Sequence, residues 1–345
     1  MKAAELVGIR EFRVVDRELP APGPGEVQVR VAAVGICGSD MHNFTEGGIG
    51  DSPCKYPMVL GHEPSGVVLK TGFGVSGIDA GDHFALEPAI PCGECEPCRR
   101  GLQNLCNNMR FMSSGGIPGF FREVVNLPAH NLIPVPKQIG LRTATLVEPL
   151  AVALHSLTFA RVQPGETAVV FGTGPIGLLT IATLKLAGVG RVWAVEPVPH
   201  RRDMARAMGA DVVLDAPDAA KTVLRDTANR GVDIAFDCAA GEDTVNQCVQ
   251  CLVKAGRFVY TAIPAHTMVN FHAPQFRKKE IAFFNVYRSN HQSERARDVL
   301  AEHSKRFAPL VTHGRPLENI QEAFDIATAY ADGVGKMLVE CSAGY

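Results

Sequence analysis

At 345 residues, with 46% apolar and 20% charged side chains, the chain has length for two to three domains of about 150 residues each and enough apolar content to core them. Thirty-four basic residues against 36 acidic ones leave a formal charge of −2, which gives no bulk attraction to nucleic acid or to an anionic membrane. Glu5, Arg10 and Arg13 interrupt the apolar stretch after Met1-Lys2, so no signal peptide is read there. No run reaches the ~18 apolar residues of a membrane span, and the expectation is a cytoplasmic protein with no membrane and no nucleic-acid partner.

In chain order, the first third is rich in glycine, proline and short strand-like runs. Pro20, Pro22, Gly23, Pro24 and Gly25 punctuate the approach to Val27-Gln28-Val29-Arg30-Val31, whose apolar–polar alternation predicts a half-buried strand of an antiparallel or barrel-like β domain. The pattern changes near residue 152. Ala168 to Phe171 predicts a buried strand that enters a glycine turn and then a helix from Gly177 to Leu186. Strands follow at 191–195, 211–214, 232–236 and 257–260, with helices near 201–208 and 218–228. Strand and helix alternating this way predict a parallel, doubly wound α/β sheet. Beyond about residue 288 the alternation fades into returning β structure with one or two helices.

Ten cysteines in a chain with no export signal point to metal rather than disulfides. Cys92, Cys95, Cys98 and Cys106 follow C-x2-C-x2-C-x7-C. The two-residue gaps let thiolates converge on one ion, and the fourth closes a tetrahedral shell with no open position, the form of a structural zinc site. An iron–sulfur cluster uses similar spacing. Cys54, Cys238, Cys248, Cys251 and Cys341 have no matching partners and read as core thiols.

A second, open metal set is formed by Cys37, His62 and Glu148: a thiolate, an imidazole and a carboxylate that leave one position free for water on a catalytic zinc. His62-Glu63 is not a metalloprotease helix. Gly66 stands where the second histidine is required, and Pro64 opposes a helix interior.

Gly172-Thr173-Gly174-Pro175-Ile176-Gly177 is a G-x-G-x-x-G motif between a predicted strand and a predicted helix. It permits a tight turn and close backbone approach to a pyrophosphate at a helix N-terminus. Glu196 ends the next strand 19 residues after Gly177, where a carboxylate accepts hydrogen bonds from ribose hydroxyls and repels a 2′-phosphate, favouring NAD over NADP. Arg201 and Arg202 nearby temper that preference.

These residues resemble the zinc-containing medium-chain dehydrogenases, and within them the polyol (sorbitol/xylitol) dehydrogenase branch. The resemblance rests on Cys37-Gly38-Ser39-Asp40-Met41-His42, Gly61-His62-Glu63, the four-cysteine lobe, Glu148-Pro149-Leu150, Gly172 to Gly177 and the tail Pro309 to His313. It implies a GroES-like β-barrel domain formed by both chain ends, with a Rossmann NAD-binding domain between them. The expected bounds are 1–152 with the zinc lobe at about 90–110, then 153–287, then a return at 288–345. It implies two zinc ions, one catalytic and one structural, and a homotetramer. It implies a resting catalytic zinc on Cys37, His62 and Glu63, with Glu148 touching the water or exchanging with Glu63. Hydride passes from a secondary alcohol, a polyol foremost, to NAD bound along Gly172, Gly174, Pro175, Ile176 and Gly177. Ser39 accepts the alcohol proton and passes it through the cofactor ribose to His42. Arg288, Phe111 and Phe121 are expected at the substrate, and Asn43 stands where polyol enzymes often carry an aromatic residue. An L-threonine 3-dehydrogenase-like activity and a non-catalytic NAD- and zinc-binding protein are the rival readings.

Overall fold

The computed structural model describes residues 1–264 and 268–342. The chain divides into two compact units, Met1–Ala151 with Asn290–Tyr345, and Val152–Ser289.

The first unit is built on a seven-stranded sheet. Its order runs Leu132–Pro134, His83–Leu86, Glu63–Thr71, Glu26–Gly35, Lys336–Glu340 and Val311–Pro316, and Val124–Pro128 also pairs with Glu26–Gly35. The expected strand at Val27 to Val31 therefore lies inside Glu26–Gly35. It is less half-exposed than its alternation indicates, because Gln28 is also buried. The Gln28 amide donates to Asn126 Oδ1 at 3.0 Å and to the Pro20 carbonyl at 3.3 Å, and that pairing makes a buried amide tolerable. Val29, Val31, Val34, Leu60, Phe44, Phe120, Phe121 and Phe324 share the core of this unit. The chain's tail contributes helices Ser293–Phe307 and Ile320–Ala329 and the strand Lys336–Glu340, antiparallel to Glu26–Gly35.

The second unit is a six-stranded sheet, all parallel. Its order is Val212–Leu214, Arg191–Val195, Thr167–Phe171, Val232–Asp237, Leu252–Tyr260 and Ala282–Asn285. Strand order thus reverses beside Thr167–Phe171, which is where a doubly wound sheet opens a crevice for a dinucleotide. The helices begin where proline sits at the first turn, at Pro175–Leu186 and Pro199–Met208, since proline lacks only an N–H that has no partner there.

Helix Val147–Ala160 carries the chain from one unit into the next. The stretch Leu141–Ala160 has the length and hydropathy of a membrane span, but 72% of its 18-residue window is buried in protein, as core structure is.

Candidate active site and metal centres

Strand Glu26–Gly35 ends just before Cys37, and Cys37 becomes the N-cap of helix Gly38–Glu46. The Cys37 N–H donates to Asp40 Oδ2 at 3.1 Å, which fixes the turn. Gly35 is paired with Glu63 on the neighbouring strand, so His62 and Glu63 arrive beside Cys37. The ligand atoms of Cys37, His62 and Glu63 lie within 4.8 Å of one another.

Each member of this trio is held by a residue behind it. His62 is 7% exposed, and its Nδ1 lies 3.4 Å from Asp40 Oδ1. The same carboxylate accepts the Gly61 N–H at 3.1 Å. A carboxylate on Nδ1 leaves Nε2 free to bind a metal. Burial alone lowers the His62 pKa, but the charges of Asp40 and Cys37 outweigh it and hold the pKa well above its ordinary value. Burial acts to raise Asp40, yet His62 and the two N–H donors keep it below the usual carboxylate range.

Glu63 is 1% exposed, and no donor is aligned on either carboxylate oxygen. Its one charge partner among the described residues is Lys336, equally buried, whose Nζ forms an ion pair with Glu63 Oε2 and donates to the Ile36 carbonyl at 3.0 Å. Burial disfavours the Lys336 ammonium, but the charges of Glu63 and Cys37 raise its pKa above the ordinary value. A thiolate, an imidazole and a buried carboxylate whose Oε1 has no partner are donors that fit a zinc ion.

Glu148 sits in the first turn of helix Val147–Ala160 and lies outside the three-donor cluster. Although the residue keeps some exposed surface, enclosure of its carboxyl pushes the pKa up to about 8; His62 and Lys336 pull it down, Glu63 and Glu87 push it further up. Ser39 Oγ lies 3.4 Å from His62 Nε2. His42, one turn on, has its Nδ1 2.9 Å from Glu46 Oε1.

The expected substrate residues divide. The Phe111 ring lies 5.7 Å from the His62 ring, so Phe111 does border the site. Phe121 does not line a pocket: it is 0% exposed, edge-on to Phe324 and packed against Gly61, a core residue. Asn43 is 8% exposed and its amide donates to the Ser39 carbonyl at 3.1 Å, so its side chain braces the helix. Arg288 belongs to the second unit, where its guanidinium carbon lies 4.7 Å from the Tyr287 ring centre.

Cys92, Cys95, Cys98 and Cys106 also converge, with sulfurs within 4.8 Å of one another. Cys95 and Cys106 are 3.8 Å apart, and Cys92 and Cys106 3.5 Å. Four thiolates about 2.3 Å from a tetrahedral zinc stand about 3.8 Å apart, so the lobe has the edge length such an ion requires. The N–H groups of Glu94 and Cys95 bring the Cys92 thiol down to about 6, into the range where it is a thiolate at neutral pH.

In the second unit, Gly172 has φ 83° and Gly174 caps helix Pro175–Leu186. A Cβ on Gly177 would run into the Gly172 carbonyl oxygen, so the third glycine is what lets helix and turn approach. The first helical turn, begun by Pro175 and Ile176, thus presents its N–H groups over the turn, as a pyrophosphate requires. Glu196 is 4% exposed and accepts from the Thr173 N–H at 2.7 Å and the Val198 N–H at 3.0 Å. The Arg201 carbonyl accepts the Thr173 hydroxyl at 3.1 Å, which brings Arg201 to the glycine turn.

Two residues of the first site escaped the sequence reading. Asp40 carried a signal, standing three residues after Cys37 where it can close the turn. Lys336 carried none beyond being a charge just ahead of the apolar run Met337 to Val339.

Two family models match the chain: an alcohol dehydrogenase GroES-like domain over residues 23–137, and a zinc-binding dehydrogenase over residues 175–304. A sorbitol dehydrogenase of Bacillus subtilis (strain 168) is 30% identical over 341 residues, covering 98% of this chain and 97% of the relative. A probable D-xylulose reductase A of Emericella nidulans is 39% identical over 261 residues, 74% of this chain and 73% of the relative. The crystal structure of 2R,3R-butanediol dehydrogenase from Bacillus subtilis matches with a TM-score of 0.87 at 30% identity, covering 98% of this chain and 99% of that one.

Proposed function

The chain belongs to the zinc-binding alcohol dehydrogenase family, and from that premise we propose that it oxidises a secondary alcohol, most readily a polyol, to the ketone with NAD. The observation that carries this reading is the convergence of Cys37, His62 and Glu63, with both oxygens of a buried Glu63 lacking an aligned donor. When bound, zinc eases loss of the alcohol proton and NAD accepts the hydride.

The chain's own residues supply the rest. Cys37, His62 and Glu63 hold the metal, and Glu148 serves as the exchanging or water-holding carboxylate. Asp40 keeps His62 presenting Nε2. Ser39, next to His62, accepts the alcohol proton and sends it on towards His42. Phe111 walls the site with an apolar ring. Glu196 selects NAD, because a carboxylate at this strand end repels a 2′-phosphate. A second zinc on the four-cysteine lobe, a homotetrameric assembly, a cytoplasmic location, a substrate contact from Arg288 and a domain division near residues 152 and 287 complete the proposal.

The test is NAD reduction against sugar alcohols, vicinal diols, L-threonine and simple alcohols, with and without a zinc chelator. Chelator-sensitive turnover of a polyol is the expected result. Turnover of L-threonine alone moves the activity to an amino alcohol on the same residues. No turnover on any of them, with zinc and NAD bound, overturns the enzymatic reading.

A further inference from the structure

We propose that Glu46 is a positioning residue of the proton relay, holding His42 in the tautomer whose Nε2 accepts a proton. The inference rests on the reading above, in which His42 takes the proton that leaves Ser39.

Three facts about helix Gly38–Glu46 carry it. Ser39, His42 and Glu46 stand at i, i+3 and i+7, which places them along one stripe of the helix. The stripe starts at Ser39 Oγ, 3.4 Å from His62 Nε2. It ends at His42 and Glu46, whose side chains are 23% and 47% exposed, so it runs from the metal ligands towards water. Along it, His42 Nδ1 and Glu46 Oε1 are 2.9 Å apart. An ionised carboxylate only accepts, so Nδ1 must donate, and in a neutral imidazole that leaves Nε2 as the acceptor. Without Glu46 the ring is free to turn, which aims Nε2 elsewhere, or to take the other tautomer, in which Nε2 already carries the proton.

Helix energetics do not account for the pair. Glu46 is the last helical residue, and the final turn holds no basic residue. A carboxylate at the negative end of the macrodipole is unfavourable, and an i,i+4 pair with the basic residue first is the less favourable order. Among the described residues His42 is the hydrogen-bond partner of this carboxylate. A group placed against local stability, and aimed at one ring nitrogen, is there to orient that ring.

The experiment measures the single-turnover rate of NADH formation, the KM of the alcohol and Tm for Glu46→Ala, Glu46→Gln, His42→Ala and the double variant His42→Ala/Glu46→Ala in the zinc-loaded enzyme. Glu46→Ala is expected to slow NADH formation by about 10- to 100-fold with KM unchanged. Its Tm should stay level or rise, since a carboxylate leaves the negative helix end. Glu46→Gln, whose amide oxygen still accepts the Nδ1–H, should recover most of the rate. The double variant should be no slower than His42→Ala. A slow His42→Ala beside a Glu46→Ala at full rate overturns the Glu46 assignment alone. So does a Glu46→Ala that loses rate and Tm together, or that slows the His42→Ala background further. A His42→Ala enzyme at full rate overturns the relay reading itself.

Discussion

Replacing Lys336 by methionine tests how Glu63, the proposed third metal ligand, is held. Lys336 and Glu63 each expose 1% of their side chains. Methionine keeps the apolar stem of the lysine and removes its charge. Without metal, the carboxylate of Glu63 is then left with no aligned donor and no ion-pair partner within 4 Å among the described residues. Removing one partner of a buried ion pair costs about 3–5 kcal/mol, because the other charge is stranded. The Ile36 carbonyl also loses the Nζ–H that reaches it at 3.0 Å, worth about 1 kcal/mol. For a unit of about 200 residues each kcal/mol moves Tm by about 2–4 °C, so the chelated Lys336→Met protein should melt on the order of 10 °C below its parent. Adding Glu63→Gln removes the stranded charge. The double variant should therefore regain most of the loss, with a coupling of about 2–3 kcal/mol in the cycle. Zinc supplies positive charge at the same oxygens, so the deficit of the single variant should shrink in the loaded protein. The assay is thermal unfolding of the four proteins, each chelated and zinc-loaded. Additive effects of the two substitutions, or a chelated Lys336→Met as stable as its parent, would refute the argument.

Other expectations follow from the same geometry. Cys37→Ser and His62→Ala should each abolish alcohol oxidation while NADH binding, followed by fluorescence, stays near wild type, because the glycine turn lies in the other unit. Residual turnover in either variant would mean that the metal ligands are misassigned. Glu148 binds its proton more tightly when folded, with its pKa at about 8 against an ordinary 4.5. Its contribution to stability is therefore full below about pH 4.5 and is lost as pH rises towards 8. In chelated protein, unfolding free energies from urea melts should fall across that window by an amount on the order of 5 kcal/mol that Glu148→Gln removes; equal pH dependence for parent and variant would contradict the enclosure of this carboxyl. Glu196→Ala should raise the KM for NAD about tenfold or more and narrow the preference over NADP. An unchanged cofactor ratio would place the selectivity elsewhere.

The doubly wound sheet was legible because its signals are local. Strand, glycine turn and helix follow one another within each stretch such as Thr167–Phe171 and Pro175–Leu186, and the four-cysteine lobe declares itself by spacing. Helix Gly38–Glu46 was not foreseen, since its buried residues are Asp40, Asn43 and Phe44 rather than an apolar stripe. That omission explains the expectation for Asn43. On a helix, adjacent side chains point about 100° apart, so a neighbour of His42 in sequence is not its neighbour in space. Phe121 failed for a different reason. An aromatic residue near a motif reads the same whether it borders a cavity or fills a core, and only the packing of Phe324 and Gly61 against it decides.

The residues proposed to hold the metal were legible as residue types, but what brings Cys37, His62 and Glu63 together is a matter of strand register. Cys37 follows the end of one strand, and Glu63 opens the next, paired with Gly35. On the other side of Gly35 the tail strand pairs through Leu338, which brings Lys336 to the same face. A Cβ on Gly35 would stand 2.8 Å from Lys336 Cε and collide with Glu63 Oε2. Glycine is therefore required there because the ion pair occupies the space a side chain would take. A one-residue slip of the tail strand would turn its side chains to the other face and leave Glu63 as a buried charge without its partner. The far end of the chain thus sets the position of a ligand supplied near its beginning. No local pattern in either segment encodes that dependence, and for that reason Lys336 stayed invisible until the two strands were seen side by side.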